Sequence, residues 1–194
     1  LMNIVQRYFE EASEEYQARS GRGLWRWLRT IEASTLTDFL EEVRAAKILE
    51  LGAGAGFYSA QLLQHGSLTC VDFSPKMLGQ LELPVKKICA NVEDFSTEEK
   101  FDLIFCAGAW EFLPNPKATL HKMAGYLNPG GSIILLTPRK SLGGYLYRWF
   151  HRKHRVNVRL FSWARREQEF GLPLERAERV FPFSMVLRFR PGHS

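Results

Sequence analysis

The sequence predicts an α/β fold: a mostly parallel sheet of seven strands, helices on both faces, and a C-terminal antiparallel hairpin. Three observations carry that prediction. Short apolar runs alternate with amphipathic helical stretches from residue 47 to residue 138, the pattern of a parallel sheet with helical crossovers. A glycine-rich segment, GAGAGFYS (52–59), directly follows the first of those runs, KILEL. Near the chain's end, LERAERVF and SMVLRFR alternate apolar and polar residues and are separated by only a proline and a phenylalanine, which reads as a hairpin.

The elements follow in order. IVQRYFEEASEEYQ places Ile4, Tyr8, Ala12 and Tyr16 on one stripe, predicting a helix. After SGRG, a second helix runs through LWRWLRTIEASTLTDFLEEV, with Leu24, Leu28, Ile31, Leu36, Phe39, Leu40 and Val43 as its apolar markers. Trp25 and Trp27 fall on opposite sides of it, one toward the core and one toward a substrate channel. KILEL is a strand, FYSAQLLQH a helix and SLTCVDF a strand. SPKMLGQL opens with a Ser-Pro helix start. PVKKICA is a strand, and KFDLIFCAG is a strand apolar enough to be buried on both faces. NPKATLHKMAGYL is a helix ended by NPGG, and SIILLTP is the next strand. In SLGGYLYRWFHRKHR, Leu142, Leu146, Trp149 and Phe150 share one helical face opposite a basic one.

Composition narrows the class. A chain of 194 residues, 45% hydrophobic and 13% aromatic, buries a core as one domain. No apolar run approaches the ~20 residues of a spanning helix. The acidic, amphipathic start of the chain is unlike a secretory signal. Cys70, Cys89 and Cys106 lie in strand-like runs without a CxxC spacing, which predicts buried, reduced thiols and a cytoplasmic protein. The net charge is +5, unevenly spread: no Asp or Glu stands between Glu111 and Glu167, where eleven Lys and Arg occur. Such a run suits an anionic partner, whether a substrate carboxylate or phosphate, a lipid surface or nucleic acid; it is equally a solvated face.

The glycine loop poses the central question of what it holds. Ligands of an open parallel sheet bind at the carboxyl ends of the strands. No Gly-Lys-Ser/Thr follows, so the loop is not of the Walker type. A dinucleotide fingerprint spaces its glycines G-x-G-x-x-G, whereas Gly52, Gly54 and Gly56 give G-x-G-x-G. Glu50 stands two residues before the first glycine. A carboxylate there gains nothing for a pyrophosphate but suits a ligand carrying an amine and a sulfonium.

ELGAGAGFYS resembles motif I of the class I S-adenosylmethionine-dependent methyltransferases, which reads E/D-x-G-x-G-x-G. The resemblance continues in order through VDFSPKML, CANVEDF, KFDLIFCAGAWEFLPNP and LNPGGSIILLTP. It covers residues 47–138 and implies a Rossmann-like sheet of seven strands. It implies S-adenosyl-L-methionine as cofactor and S-adenosyl-L-homocysteine as product. The backbone of Gly52, Ala53, Gly54 and Gly56, after Leu51, would pass under the methionine moiety, and Glu50 would balance its amino group. Asp72 would take the two ribose hydroxyls, Phe73 and Met77 would line the adenine, and Val92 would offer its backbone to the adenine edge. Asn91 stands where the family usually has Asp and would accept from adenine N6; Glu93, Cys106 and Ala107 complete the cofactor set.

For the acceptor, the expected site lies beside the ends of the fourth and fifth strands. Glu111 is the carboxylate of that rim, either a base or anchor or a cap for the helix near Asn115. Trp110, Arg139 and Tyr145 are expected to line the pocket, with Tyr16 capping it. His121 reads as a surface residue, and His151 and His154, three apart, lack a nearby carboxylate or cysteine for a metal site. The resulting organisation is a helical cap (1–44), a cofactor-binding core (45–138), a basic substrate-side insertion (139–172) and the hairpin (173–194). The expected reaction is O-methylation of a small anionic or hydrophobic biosynthetic intermediate, with peripheral membrane contact through 142–155 and a homodimer as further expectations. Nucleic-acid methylation is the rival, but CAGAWE carries neither D/N-P-P-Y/F nor Pro-Cys. The other rivals are a nucleotide oxidoreductase and a module that keeps the cofactor without the chemistry.

Overall fold

The computed structural model describes Tyr8 and residues 23–192. The first expected helix, apart from Tyr8, and the expected capping residue Tyr16 lie outside the described residues. Helix α1 (Gly23–Glu41) precedes β1 (Lys47–Leu51), α2 (Ser59–Leu63), β2 (Ser67–Asp72), α3 (Pro75–Gln80), β3 (Lys86–Cys89) and β4 (Phe101–Ala107). A 3₁₀ turn (Trp110–Phe112) then leads to α4 (Pro116–Ala124), β5 (Leu127–Pro138), α5 (Leu142–Lys153), α6 (Arg166–Phe170), β6 (Leu174–Val180) and β7 (Ser184–Phe189).

The seven strands form one sheet in the order β3-β2-β1-β4-β5-β7-β6. The first five pair in parallel. Strand β7 inserts antiparallel between β5 and β6, so the expected hairpin is present. Strand order reverses between β1 and β4, which places the crevice for a ligand over Leu51 and Ala107.

Local chemistry explains the elements. Ser74 caps α3, its hydroxyl accepting from Met77 N, with Pro75 at the first helical position. Ser141 caps α5 the same way through Gly144 N. His151, Arg152 and Lys153 in the last turn of α5 oppose the negative end of its dipole. Strand β5 starts earlier than the sequence suggests. Leu127 pairs with Phe101 and Ser132 with Leu103, so the Asn-Pro-Gly-Gly segment bulges out within the strand rather than ending a helix before it.

The sheet divides the core. Leu49, Leu51, Cys106, Ile133, Leu135 and Leu187 face one layer, with Trp110, Phe161 and Phe170. Ile48, Cys70, Phe105, Ile134 and Val186 face the other, against Leu36, Phe39 and Leu40 of α1 and Tyr58 and Leu62. Helix α1 is strapped to the hairpin: Arg188 pairs with Glu42 and Glu175 at 2.8 Å each, and Arg176 lies over the Phe39 ring.

Burial corrects one expectation and sorts two others. The stripe on α5 does not face the core: Leu142 is 91%, Leu146 64% and Trp149 54% exposed. The face that turns inward is Gly144, Tyr147 and His151, with Gly144 and His151 buried. Cys89 is exposed rather than buried, whereas Cys70 and Cys106 are buried. Trp27 is half exposed and meets Phe181 edge to face. No described helix is long and apolar enough to cross a membrane.

Candidate active site

The glycine loop leaves β1 at Leu51 and bends over the strand ends. Gly52 and Ala53 both donate to the Val71 carbonyl, at 2.8 and 3.1 Å, tying the loop to β2. Gly52 has φ +73°, and a Cβ there would sit 2.4 Å from the Ala109 Cβ. The glycine therefore lets the segment after β4 close against the loop. Gly54 has φ +55°, and a Cβ built on it would meet nothing within 4 Å, so the backbone is open to a ligand.

Asp72, at the end of β2, is held from both sides. Its Oδ2 accepts from Gly54 N and its Oδ1 from Ser74 N, each at 2.9 Å. Open glycine backbone beside an anchored carboxylate is the donor and acceptor set that a nucleoside diol with a linear amino-acid chain requires. The residues present fit S-adenosylmethionine.

Glu50 is buried beneath the loop, on the side of the sheet that carries α2. It accepts from the Ser59 hydroxyl and, at 3.4 Å, from the Cys70 thiol. Burial pushes its carboxyl up to about 7, against the lowering by those hydrogen bonds. Phe73 is half-buried and Met77 buried. Val92 is buried. The Asn91 side chain accepts from Glu93 N at 3.2 Å, so the oxygen expected at adenine N6 also shapes its own turn. Glu93 braces α4, accepting from Asn115 N through its carboxylate and from Lys122 Nζ through its carbonyl. Cys106 is fully buried, and burial pushes its thiol up; Ala107 is partly exposed at the strand end.

On the acceptor side, Glu111 is 3% exposed and does not cap α4. Its Oε1 accepts weakly from the Tyr147 hydroxyl at 3.4 Å, and its Oε2 has no partner among the described residues. Burial, with the like charge of Glu32, pushes Glu111 up to about 7. Glu32 accepts from the Tyr58 hydroxyl at 2.9 Å and from Ser184; burial raises its pKa.

Three expected acceptor residues are displaced. Trp110 is fully buried in the core, its indole N–H unpaired among the described residues. Tyr145 is half exposed under Arg148, on the outside of α5. Arg139 donates to the Pro182 carbonyl at 3.2 Å and braces the hairpin turn. Tyr147 takes the inward place instead, stacked on Phe183 at 4.9 Å and meeting His151 at 4.5 Å. Glu32, Tyr147 and Ser184 stand at the site without having been expected there from the sequence. A signal for Glu32 existed: it interrupts the row Leu28, Leu36, Leu40 at a spacing of four. His121 is exposed. Among the described residues, no group of three or more His, Cys, Asp or Glu side chains could hold a metal ion.

Comparison with known proteins agrees with this geometry. Residues 49–135 match the family model described as a methyltransferase domain. The Ubiquinone biosynthesis O-methyltransferase of Coxiella burnetii (strain Dugway 5J108-111) is 27% identical over 114 residues, covering 54% of this chain and 49% of that protein. The chain thus spans about half the length of that relative. Two solved structures share the fold across nearly the whole chain. The N-methyltransferase NodS from Bradyrhizobium japonicum WM9, in complex with S-adenosyl-L-homocysteine, superposes with TM-score 0.75 at 18% identity, covering 95% of this chain and 98% of its own. Magnesium protoporphyrin IX methyltransferase from Synechocystis PCC 6803, also with S-adenosylhomocysteine bound, gives TM-score 0.74 at 17% identity, over 95% and 97%.

Residues 49–135 thus match a methyltransferase domain, in a chain whose fold is shared with solved methyltransferases that bind S-adenosylhomocysteine.

Proposed function

We propose that the chain transfers the methyl group of S-adenosylmethionine to a small organic acceptor held over the ends of β4 and β5, by O-methylation. The observation that carries the reading is the anchored Asp72 facing an open Gly54 backbone at the reversal of strand order. The bound cofactor supplies an electrophilic methyl group on a cationic sulfur. Asp72 binds the ribose hydroxyls, the loop backbone orients the methionine moiety, and Glu50 biases the loop's potential toward a cation from below. The Gly108–Glu111 turn closes against Gly52 and aligns the acceptor. Alignment and exclusion of water supply most of the rate in such displacements. The O-methyltransferase name of the Coxiella relative supports oxygen as the receiving atom.

Calorimetric titration tests the reading. S-adenosylmethionine and S-adenosylhomocysteine bind, NAD does not, and Asp72→Ala weakens binding roughly 10- to 150-fold, the ~1.5–3 kcal/mol of hydrogen bonds to a charged acceptor. Binding of NAD, or unchanged affinity in the variant, rejects it.

A second reading concerns the outside of α5. Its exposed Leu142, Leu146 and Trp149 sit among Arg148, Arg152 and Lys153, and Lys153 covers the Trp149 ring. That combination suits an anionic lipid surface. Sedimentation with phosphatidylglycerol vesicles, lost in Leu146→Ser/Trp149→Ser, supports it; equal sedimentation of both proteins rejects it.

A further inference from the structure

We propose that Glu111, positioned by Glu32, takes a proton from the acceptor, so that the reacting group is a hydroxyl or amine still carrying its proton and not a carboxylate or phosphate. The proposal rests on the methyl-transfer reading above and names its substrate class.

The two carboxylates come from opposite sides of the sheet. Glu32 is on α1, in the layer with Tyr58. Glu111 follows β4, beside Trp110 of the other layer. They are joined by a short chain of contacts over the strand ends: Glu32 accepts from Ser184, its neighbour Phe183 stacks on Tyr147, and Tyr147 donates to Glu111. This cluster adjoins the cofactor loop, because Ala109, two residues before Glu111, lies against Gly52. Glu111 Oε2, buried and without a partner among the described residues, is the atom left to take the proton of an acceptor held there.

The charged and titratable groups around Glu111 explain why an anion does not fit. Helix α1 presents Glu32, with Arg29 near that carboxylate. Helix α5 presents Tyr147 and His151. Arg159 gives its backbone N–H to the Glu111 carbonyl, but its guanidinium goes to the Pro114 carbonyl. Arg139 is engaged with Pro182. Arg148, Arg152, Lys153 and Arg155 are exposed on or just beyond α5. The basic run of the sequence therefore turns outward, and the acceptor side is acidic.

The step balances. The acceptor's lone pair forms the new bond to the methyl carbon while the carbon–sulfur bond breaks onto sulfur. The acceptor's proton passes to Glu111 Oε2, so one positive and one negative charge vanish together. Glu111 returns the proton to water after product leaves. A base that ionises near neutrality is suited to such transfer.

Two measurements test this. The first is carboxyl carbon-13 NMR of the protein without cofactor. Glu111 is expected to titrate near neutrality, and Glu32→Gln to move it to lower pH by removing the like charge. A Glu111 titrating in the ordinary carboxylate range, or unmoved by Glu32→Gln, overturns the proposal. The second uses phenol, benzylamine and benzoate as probe acceptors with S-adenosylmethionine, reading S-adenosylhomocysteine release. Turnover of phenol or benzylamine that falls 10²–10⁴-fold in Glu111→Gln, with Glu32→Gln shifting the acid limb to lower pH, supports the proposal. Turnover of benzoate that persists in Glu111→Gln overturns it. If no probe turns over, the titration decides. Failure of the methyltransferase reading is seen separately, as loss of cofactor binding in calorimetry.

Discussion

An aspartate at the amino end of the sheet and three glutamates at its carboxyl end are held in opposite ways. At the amino end, Asp102 of β4 accepts from Ala46 N and Lys47 N at 2.9 Å and from the Asn128 amide at 2.8 Å. Its partial burial would raise its pKa, but those hydrogen bonds and Lys47 hold it below the usual carboxylate range. At the carboxyl end, Glu50, Glu32 and Glu111 are all pushed up, burial being the largest cause in each. One end joins β1, β4 and β5 with a satisfied anion. The other keeps incompletely compensated acids beside an open glycine loop. Stability is built at the first end and spent at the second, as expected where a site needs groups ready to react.

The comparison can be broken most severely at Gly52. Gly52→Ala adds a left-handed non-glycine residue, ~1–2 kcal/mol, and overpacks Ala109, ~1–3 kcal/mol. Denaturant unfolding should show a loss of roughly 2–5 kcal/mol, accompanied by lost S-adenosylhomocysteine binding. A stable, binding-competent variant would mean that the turn after β4 does not close on the loop.

Next comes pH. Glu50 and Glu111 hold a proton more tightly folded than unfolded. Their contributions to stability are therefore present at low pH and lost as pH rises from about 4.5 through about 7. Each amounts to on the order of 3 kcal/mol. Asp102 works the other way: its contribution is present above its unfolded pKa and lost as pH falls below it. Unfolding free energies should thus decline between pH 5 and pH 8, and Glu50→Gln should flatten the decline. A profile that rises over that range contradicts the raised acids.

Asp102→Ala should cost about 1–2 kcal/mol, since its hydrogen bonds are partly exposed, and leave cofactor affinity within twofold. The smallest effect is on the outer face of α5. Leu146→Ser should change stability by less than about 0.5 kcal/mol, because the side chain is mostly in solvent. A larger loss would mean that Leu146 packs against the protein.

That last residue shows where sequence reasoning runs out. The alternation of strands and helices, the glycine loop and Asp72 were legible because each is local: periodicity, turn residues and spacing stand next to one another in the chain. The acceptor side is assembled from α1, the turn after β4, α5 and the hairpin, and no short window contains it. On α5 the apolar stripe did not tell which face turns inward, and that face is Gly144, Tyr147 and His151. Tyr145 and Tyr147 are two residues apart, and the contacts of Tyr147 with Phe183 and Glu111, both distant in the chain, choose between them. Trp110 lies beside Glu111 in sequence, yet the 3₁₀ turn sends one into the core and the other toward Tyr147. Glu32 was visible as an acid in an apolar row, but its partner lies 79 positions further on, counting from 32 to 111.

The central claim is that ligand chemistry belongs to the carboxyl end of the sheet alone. Backbone amide NMR of the protein titrated with S-adenosylhomocysteine tests it most directly. The account predicts shifts at Gly52–Gly56, Asp72, Asn91–Glu93 and Ala107–Glu111, with Ala46, Asp102 and Asn128 unmoved. Shifts centred on the amino end or on the outer face of α5, or none at millimolar ligand, would contradict it.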